Sequence, residues 1–282
     1  MASNIVSFED AVRGRGAGRP LVITEAELRA AQKTVDLRDC HVAFDRCSVE
    51  VKTNTRRFTL FNDLSATFPR GRRMVILGHK GSGKTTIVEM MMRKRQTVGG
   101  RILVNSRLSW PVGSTSYFDS KLTLRQNLVF LGRVLGVDPG KLFRASCDIC
   151  GFNERQLREK MRAIPTPMRR RIGVLVVLAA DFDCHLLDGP PKSAQYGLTN
   201  VDLGAVAAAL LDRDYVMTLT DARQVPEGCD LAYLLYDGRL YMFDDVATAV
   251  KVYEELPVPE VPDITPTPDD DEDEDDSVEE VF

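Results

Sequence analysis

Nine consecutive residues carry the most legible chemistry in this sequence: Gly78, His79, Lys80, Gly81, Ser82, Gly83, Lys84, Thr85 and Thr86. Their spacing is G-x-x-x-x-G-K-[ST], the pattern of a phosphate-binding loop. Glycines let a backbone wrap closely around a phosphate, where a side chain would clash. The loop's N–H groups and the start of the next helix then face negative charge. Lys84 is expected to reach the β- and γ-phosphates, and Thr85 to place its hydroxyl on Mg²⁺. The bland alternative is a chance glycine-rich turn. The flanks argue against it. Met74-Val75-Ile76-Leu77 reads as a short buried strand before the loop, and Thr86 to Arg95 reads as a helix after it.

The elements that must position this loop alternate along the chain. Val42–Phe44, Ser48–Val51, Phe58–Phe61 and Leu64–Phe68 read as short strands. Gly99 to Val104 reads as a turn and strand. Leu122 to about Arg170 reads as mostly helical, with breaks at Asp138-Pro139-Gly140 and Pro165. Ile172 to Ala180 reads as a buried helix, and Cys184 to Asp188 as a strand ending in a carboxylate. Tyr215 to Thr220 is a further strand. Leu231–Tyr236 and Arg239–Phe243 flank Asp237-Gly238, a hairpin signal, before a closing helix from Ala247 to Glu255. The pattern predicts an α/β P-loop core with an added antiparallel β-layer and a helical insert at about 120–170.

The ends differ from the middle. Residues 1–38 read as an extension holding one short helix from 25 to about 33, opened by Thr24 and Glu27 as a capping box. Residues 257–282 hold twelve acidic residues, five prolines and no Lys or Arg. Such a segment is expected to be disordered, either as a solubilising tail or as a tether to a basic surface. The whole chain of 282 residues has a formal charge of −4; residues 1–256 alone carry +8. The longest apolar stretch, nine residues ending at Ala180, is far short of the ~20 needed to span a bilayer. With no secretory signal at the start, a cytoplasmic chain is expected. Six cysteines suggest no disulfide framework, and Cys147-x-x-Cys150 lacks a second pair at zinc spacing, so both read as structural thiols.

The layout over about residues 40–255 resembles the ATP-binding subunits of ABC transporters, more narrowly the branch exporting capsular and other surface polysaccharides. Ser109-Trp110-Pro111-Val112-Gly113, Phe118, Leu122-Thr123 and Asn127 follow that branch, as do Met168-Arg169, Asp181-Phe182-Asp183 and Leu187-Asp188. So do Cys229-Asp230, Asp237-Gly238-Arg239-Leu240 and Phe243-Asp244. The resemblance implies an ABC-type nucleotide-binding domain over 39–256 that binds ATP and Mg²⁺, with Asp188 holding the metal through water. It implies a membrane permease, a second ATP-binding subunit, or both as partners. It also implies a place on the inner face of the membrane with no span of its own, and no role for nucleic acid.

Against that family the chain departs at six positions. By register, the adenine-stacking ring is Val51, the Q-loop glutamine is Asp119, and the signature Ser-Ser-Gly is Pro165-Thr166-Pro167. The catalytic glutamate is Gly189, the D-loop aspartate is Gln195 and the switch histidine is Thr220. Gly189 cannot polarise water, and losing a positioned general base costs roughly 10²–10⁴-fold. Prolines have no N–H to offer a partner's γ-phosphate. The expectation is therefore a nucleotide-binding subunit without catalytic residues of its own. One alternative is an active exporter ATPase in which Asp119 or Asp221 serves as base. A second is a P-loop phosphotransferase.

Overall fold

The computed structural model describes residues 39–52, 57–190, 206, 208–210 and 212–258. The expected helix at 25–33 and the expected disordered tail lie outside these, apart from residues 257 and 258. Two sheets organise the chain. The smaller is antiparallel and joins β1 (Cys40–Lys52), β2 (Arg57–Pro69) and β4 (Gly99–Val104) in the order β2-β1-β4. The larger has six strands: β3 (Arg73–Leu77), β5 (Leu108–Pro111), β6 (Cys184–Leu187), β7 (Tyr215–Leu219), β8 (Leu231–Tyr236) and β9 (Arg239–Phe243). Their order is β5-β6-β7-β3-β8-β9. The first five run parallel and β9 returns antiparallel through the Asp237-Gly238 turn. Asp237 and Gly238 both have positive φ, 47° and 68°, as a two-residue hairpin turn requires.

Strand β3 sits in the middle and is covered on both faces, which is why Met74–Leu77 is an unbroken apolar run. Met74 and Ile76 face a core shared with Phe44, Phe61, Phe68 and Tyr233 under the small sheet. Val75 and Leu77, one residue out of phase, face a second core with Val177, Met217 and Leu234. Each such fully buried side chain is worth ~1.5–3 kcal/mol. Removing any one therefore loosens the strand that carries the loop.

Helix α1 (Lys84–Met91) follows the loop and buries Ile87, Val88, Met90 and Met91. Four helices form the insert: α2 (Leu124–Leu135), α3 (Pro139–Asp148), α4 (Glu154–Leu157) and α5 (Thr166–Ala179). Thr123 and Gln126 make a capping box at the start of α2, and Gly136 ends it at φ 73°. Asp138 caps α3. The insert has its own core around Leu124, Leu128, Leu131, Phe152, Ile172 and Val176. Helix α6 (Val246–Glu255) closes the described fold, capped by Asp245.

Three local expectations are corrected. The four short strands between 42 and 68 are two long ones, because bulges between Phe44 and Glu50 absorb the breaks in alternation. The helix after the loop stops at Met91, where Arg93 turns to φ 57°. The buried helix expected from Ile172 begins earlier, at Thr166, with Pro165 as its cap and Pro167 in its first turn. Proline is accepted there because the first N–H groups of a helix have no intrahelical acceptor. Ser109 and Trp110, read only as part of a motif, lie on edge strand β5.

Candidate phosphate-binding site

The loop from Gly78 to Gly83 joins the end of β3 to the start of α1. The Gly78 N–H is anchored to the carbonyl of Leu219 on neighbouring β7 at 3.1 Å. Two glycines are fixed by packing. A Cβ on Gly78 would lie 2.6 Å from Ser82 Oγ and 3.1 Å from the Leu235 carbonyl. At Gly83, φ is +100° and a Cβ would lie 2.6 Å from the Phe61 ring. The antiparallel layer thus sits directly on the loop.

Lys84 folds back over the loop, its Nζ donating to the carbonyls of Gly78 and His79 at 2.7 Å each. Burial lowers its pKa to about 8, against a smaller upward pull from Asp188. The Nε2 of His79 and the Oγ of Ser82 are buried without a hydrogen-bond partner. The His79 ring stacks on Tyr253 of α6 at 4.9 Å and 26°. Burial, then the charge of Lys84, lowers the His79 pKa. A desolvated ammonium and two unmatched polar atoms in one loop suit an anionic ligand rich in acceptor oxygens.

Asp188, just past β6, comes to this loop across the sheet. Its Oδ1 accepts from the Thr85 hydroxyl at 3.3 Å and from the Thr218 hydroxyl at 3.0 Å. Thr218 in turn accepts the Gly189 N–H at 2.9 Å. A hydroxyl and a carboxylate are hard oxygen donors of the kind Mg²⁺ takes, with the remainder of its shell left to water and phosphate. The residues present therefore fit a magnesium nucleotide. Thr85 and Asp188 would hold the metal, and Gly78 to Thr86 the phosphates.

The expected catalytic positions hold no base aimed at this site. Gly189 has φ +99°, with nothing within 4 Å of where a Cβ would stand. Thr220 is exposed, and its carbonyl accepts the Tyr253 hydroxyl at 2.7 Å. Asp119 Oδ1 accepts the N–H groups of Lys121 and Leu122 at 2.7 and 3.3 Å, within its own loop. Both oxygens of Asp221 bind Arg223, at 3.0 and 2.9 Å. Pro165, Thr166 and Pro167 are exposed at the start of α5, where the Thr166 hydroxyl accepts from Arg169 at 2.9 Å. Val51 is half-buried opposite Phe58, and Gln195 lies outside the described residues. Cys147 and Cys150 are not joined in a disulfide, and no metal-binding cluster of His, Cys, Asp and Glu occurs among the described residues.

Two residues that complete the site were not read from the sequence. Thr218 was legible in principle, as the only aliphatic hydroxyl in the largely apolar run Tyr215–Leu219. Tyr253 carried no signal, because its contacts to His79 and Thr220 are tertiary.

Comparison with known proteins gives a consistent result. The ABC transporter family pattern matches residues 61–192. The chain is 26% identical over 201 residues to the capsule polysaccharide export ATP-binding protein CtrD of Neisseria meningitidis, covering 71% of this chain and 92% of CtrD. It is 30% identical over 164 residues to the cytochrome c biogenesis ATP-binding export protein CcmA of Rhizobium meliloti, covering 54% of this chain and 78% of CcmA. In fold it is similar to the ATP-binding cassette MJ0796, solved as a post-hydrolysis dimer bound to ADP and Pi. The TM-score is 0.55 at 16% identity, over 72% of this chain and 98% of that one. No helix among the described residues is long and apolar enough to cross a membrane.

Proposed function

Because the chain belongs to the ABC transporter family of ATP-binding proteins, we propose that it is the nucleotide-binding subunit of a surface-polysaccharide exporter. In this reading it holds Mg²⁺ and ATP at Gly78–Thr86 and Asp188 and turns them over very slowly or not at all. One juxtaposition carries the reading. The magnesium limb is intact, with Thr85 3.3 Å from Asp188, while the very next residue is Gly189. The metal-holding carboxylate is kept and the water-activating one is absent.

The chain's own residues then bind and orient. Lys84 exchanges two carbonyl partners for phosphate oxygens. Thr85 and Asp188 fix the metal side, and Thr218 holds Asp188 in place. Mg²⁺, when bound, neutralises phosphate charge. No side chain takes a proton from water, and Pro165 and Pro167 withhold backbone donors from a facing subunit. The domain assigned to this work is 39–256, between an N-terminal extension (1–38) and an acidic tail (257–282). Its partners are a membrane permease, a second ATP-binding subunit, or both, on the cytoplasmic side of the membrane. The test is ATP binding by the purified chain together with phosphate release, with Lys84→Ala as control.

The rival reading, an active ATPase with relocated groups, needs Asp119 or Asp221 to turn toward the loop. Both carboxylates are engaged elsewhere, which is why it is the weaker reading.

A further inference from the structure

Three side chains from three separate segments meet away from the phosphate loop. His41 is the second residue of β1, Ser106 lies between β4 and β5, and Asp214 immediately precedes β7. His41 Nδ1 stands 2.8 Å from Ser106 Oγ, and its Nε2 stands 2.7 Å from Asp214 Oδ2. The backbone holds the group in place. The Asn105 N–H donates to the His41 carbonyl at 2.9 Å, and the His185 N–H donates to the Asp214 carbonyl at 2.9 Å. The Gly71 N–H donates to Asp214 Oδ2 at 2.6 Å, which fixes the carboxylate.

The chemistry of the three groups orders their protons. An ionised carboxylate only accepts, so His41 Nε2 carries the hydrogen that Asp214 receives. Burial lowers the His41 pKa below its ordinary 6.5, against the upward pull of Asp214, so the ring is neutral at pH 7. Nδ1 then offers a lone pair, and the Ser106 hydroxyl donates to it. A serine hydroxyl aimed at an imidazole whose other nitrogen is held by a carboxylate is the arrangement of an activated nucleophile. The two ring nitrogens exchange the roles they have in the familiar serine-hydrolase triad, and either can take a proton.

Ser106 also has room beside it. It is half-buried, and it lines a cavity of about 360 Å³, within the range of small-molecule sites. Met91, Met92, Val104, Leu108 and Trp110 share that lining and suit an apolar acyl chain. Arg93 brings a cation to it.

We propose that Ser106, His41 and Asp214 form a second catalytic site, independent of the nucleotide site, that hydrolyses small carboxylic esters with an apolar acyl chain. Ser106 Oγ attacks the carbonyl carbon as its proton passes to His41 Nδ1. The tetrahedral oxyanion is assigned to Arg93. On collapse the bond to the alcohol oxygen breaks, and that oxygen takes the proton from His41. Water then adds to the acyl-serine and gives a proton to His41. Collapse returns this proton to Ser106 Oγ and releases the carboxylic acid. Asp214 stays ionised beside the imidazolium throughout.

The experiment uses the full chain. A fluorophosphonate probe is added to the unaltered protein, and the labelled residue is mapped by mass spectrometry. Hydrolysis of p-nitrophenyl butyrate is followed for the unaltered chain, Ser106→Ala and Asp214→Asn, each checked for folding by thermal unfolding. The expected result is a label on Ser106. Hydrolysis falls at least about a hundredfold in Ser106→Ala and by a similar factor in Asp214→Asn. The labelling needs no substitution, so it decides the question even where a variant does not fold. A chain left unlabelled, or labelled only at other residues, overturns the proposal. So does hydrolysis that a folded Ser106→Ala retains, which would leave the three residues as a tie between the two sheets.

Discussion

The Thr85 hydroxyl lies 3.3 Å from Asp188 Oδ1, although 103 residues separate them in sequence. The same oxygen accepts the Thr218 hydroxyl at 3.0 Å. Two threonines from different elements thus aim one carboxylate at the end of the phosphate loop. Thr218 also satisfies the Gly189 N–H. Replacing Thr218→Val removes a donor to Asp188 and the acceptor for that amide, at a cost of ~1–3 kcal/mol if the amide stays unsatisfied. The variant is expected to melt several degrees lower and to show weaker Mg²⁺ dependence of nucleotide binding. Unchanged Mg²⁺ dependence would remove Thr218 from the site.

Gly83→Ala is expected to damage fold and loop together. A left-handed backbone costs a non-glycine residue roughly 1–2 kcal/mol. The new methyl would also meet the Phe61 ring at 2.6 Å, adding overpacking of about 1–3 kcal/mol. Thermal unfolding checks the loss. Gly136→Ala, with φ 73° and open space around the added atom, is the control for the backbone share alone.

Lys84 makes affinity depend on pH. Its pKa in the ligand-free chain is lowered to about 8 by burial. A phosphate favours the protonated form and raises that pKa. Affinity should therefore be full below about pH 8 and fall by up to tenfold per unit as pH rises from 8 toward the bound pKa. For the fold itself the sign is reversed. Burying the charged form is unfavourable, so this residue's penalty is relieved as pH climbs from 8 toward its ordinary 10.5. A pH series of nucleotide titrations checks the first. Lys84→Met, which cannot titrate, should lose the pH dependence along with most of the affinity.

Gly189→Glu restores the expected carboxylate in isolation. Open space around the site means that the cost is confined to the backbone, about 1–2 kcal/mol at φ +99°. Phosphate release is expected to stay at the parent level. Thr220 still lacks an imidazole, and Pro165 and Pro167 still lack N–H groups. A hundredfold rise from this one change would show that the remaining positions are competent.

Much of the architecture was legible because its signals are local. The glycine-lysine spacing, the apolar run Met74–Leu77 and the Asp237-Gly238 turn each act within a few residues. What was not legible depends on distance. Bulges join strands that look separate, because the partner strand carries the ladder across the break. Edge strand β5 is too short to show a period. The His79–Tyr253 stack and the Thr218–Asp188 bond exist only once the sheet has assembled. The unbroken apolar run Met74–Leu77 predicted a buried β3, but not which oxygen Thr218 would bind.

The central claim, a phosphate loop that binds without turning over, is tested most directly by reading ATP binding and phosphate release in one preparation. The unaltered chain is compared with Lys84→Ala. Saturable, Mg²⁺-dependent binding is expected, weakened by Lys84→Ala at least about tenfold through the loss of one or more charge-assisted hydrogen bonds. Phosphate release should be indistinguishable between the two chains. Release that is plain in the unaltered chain and gone in Lys84→Ala would contradict the account and make this protein a transport motor.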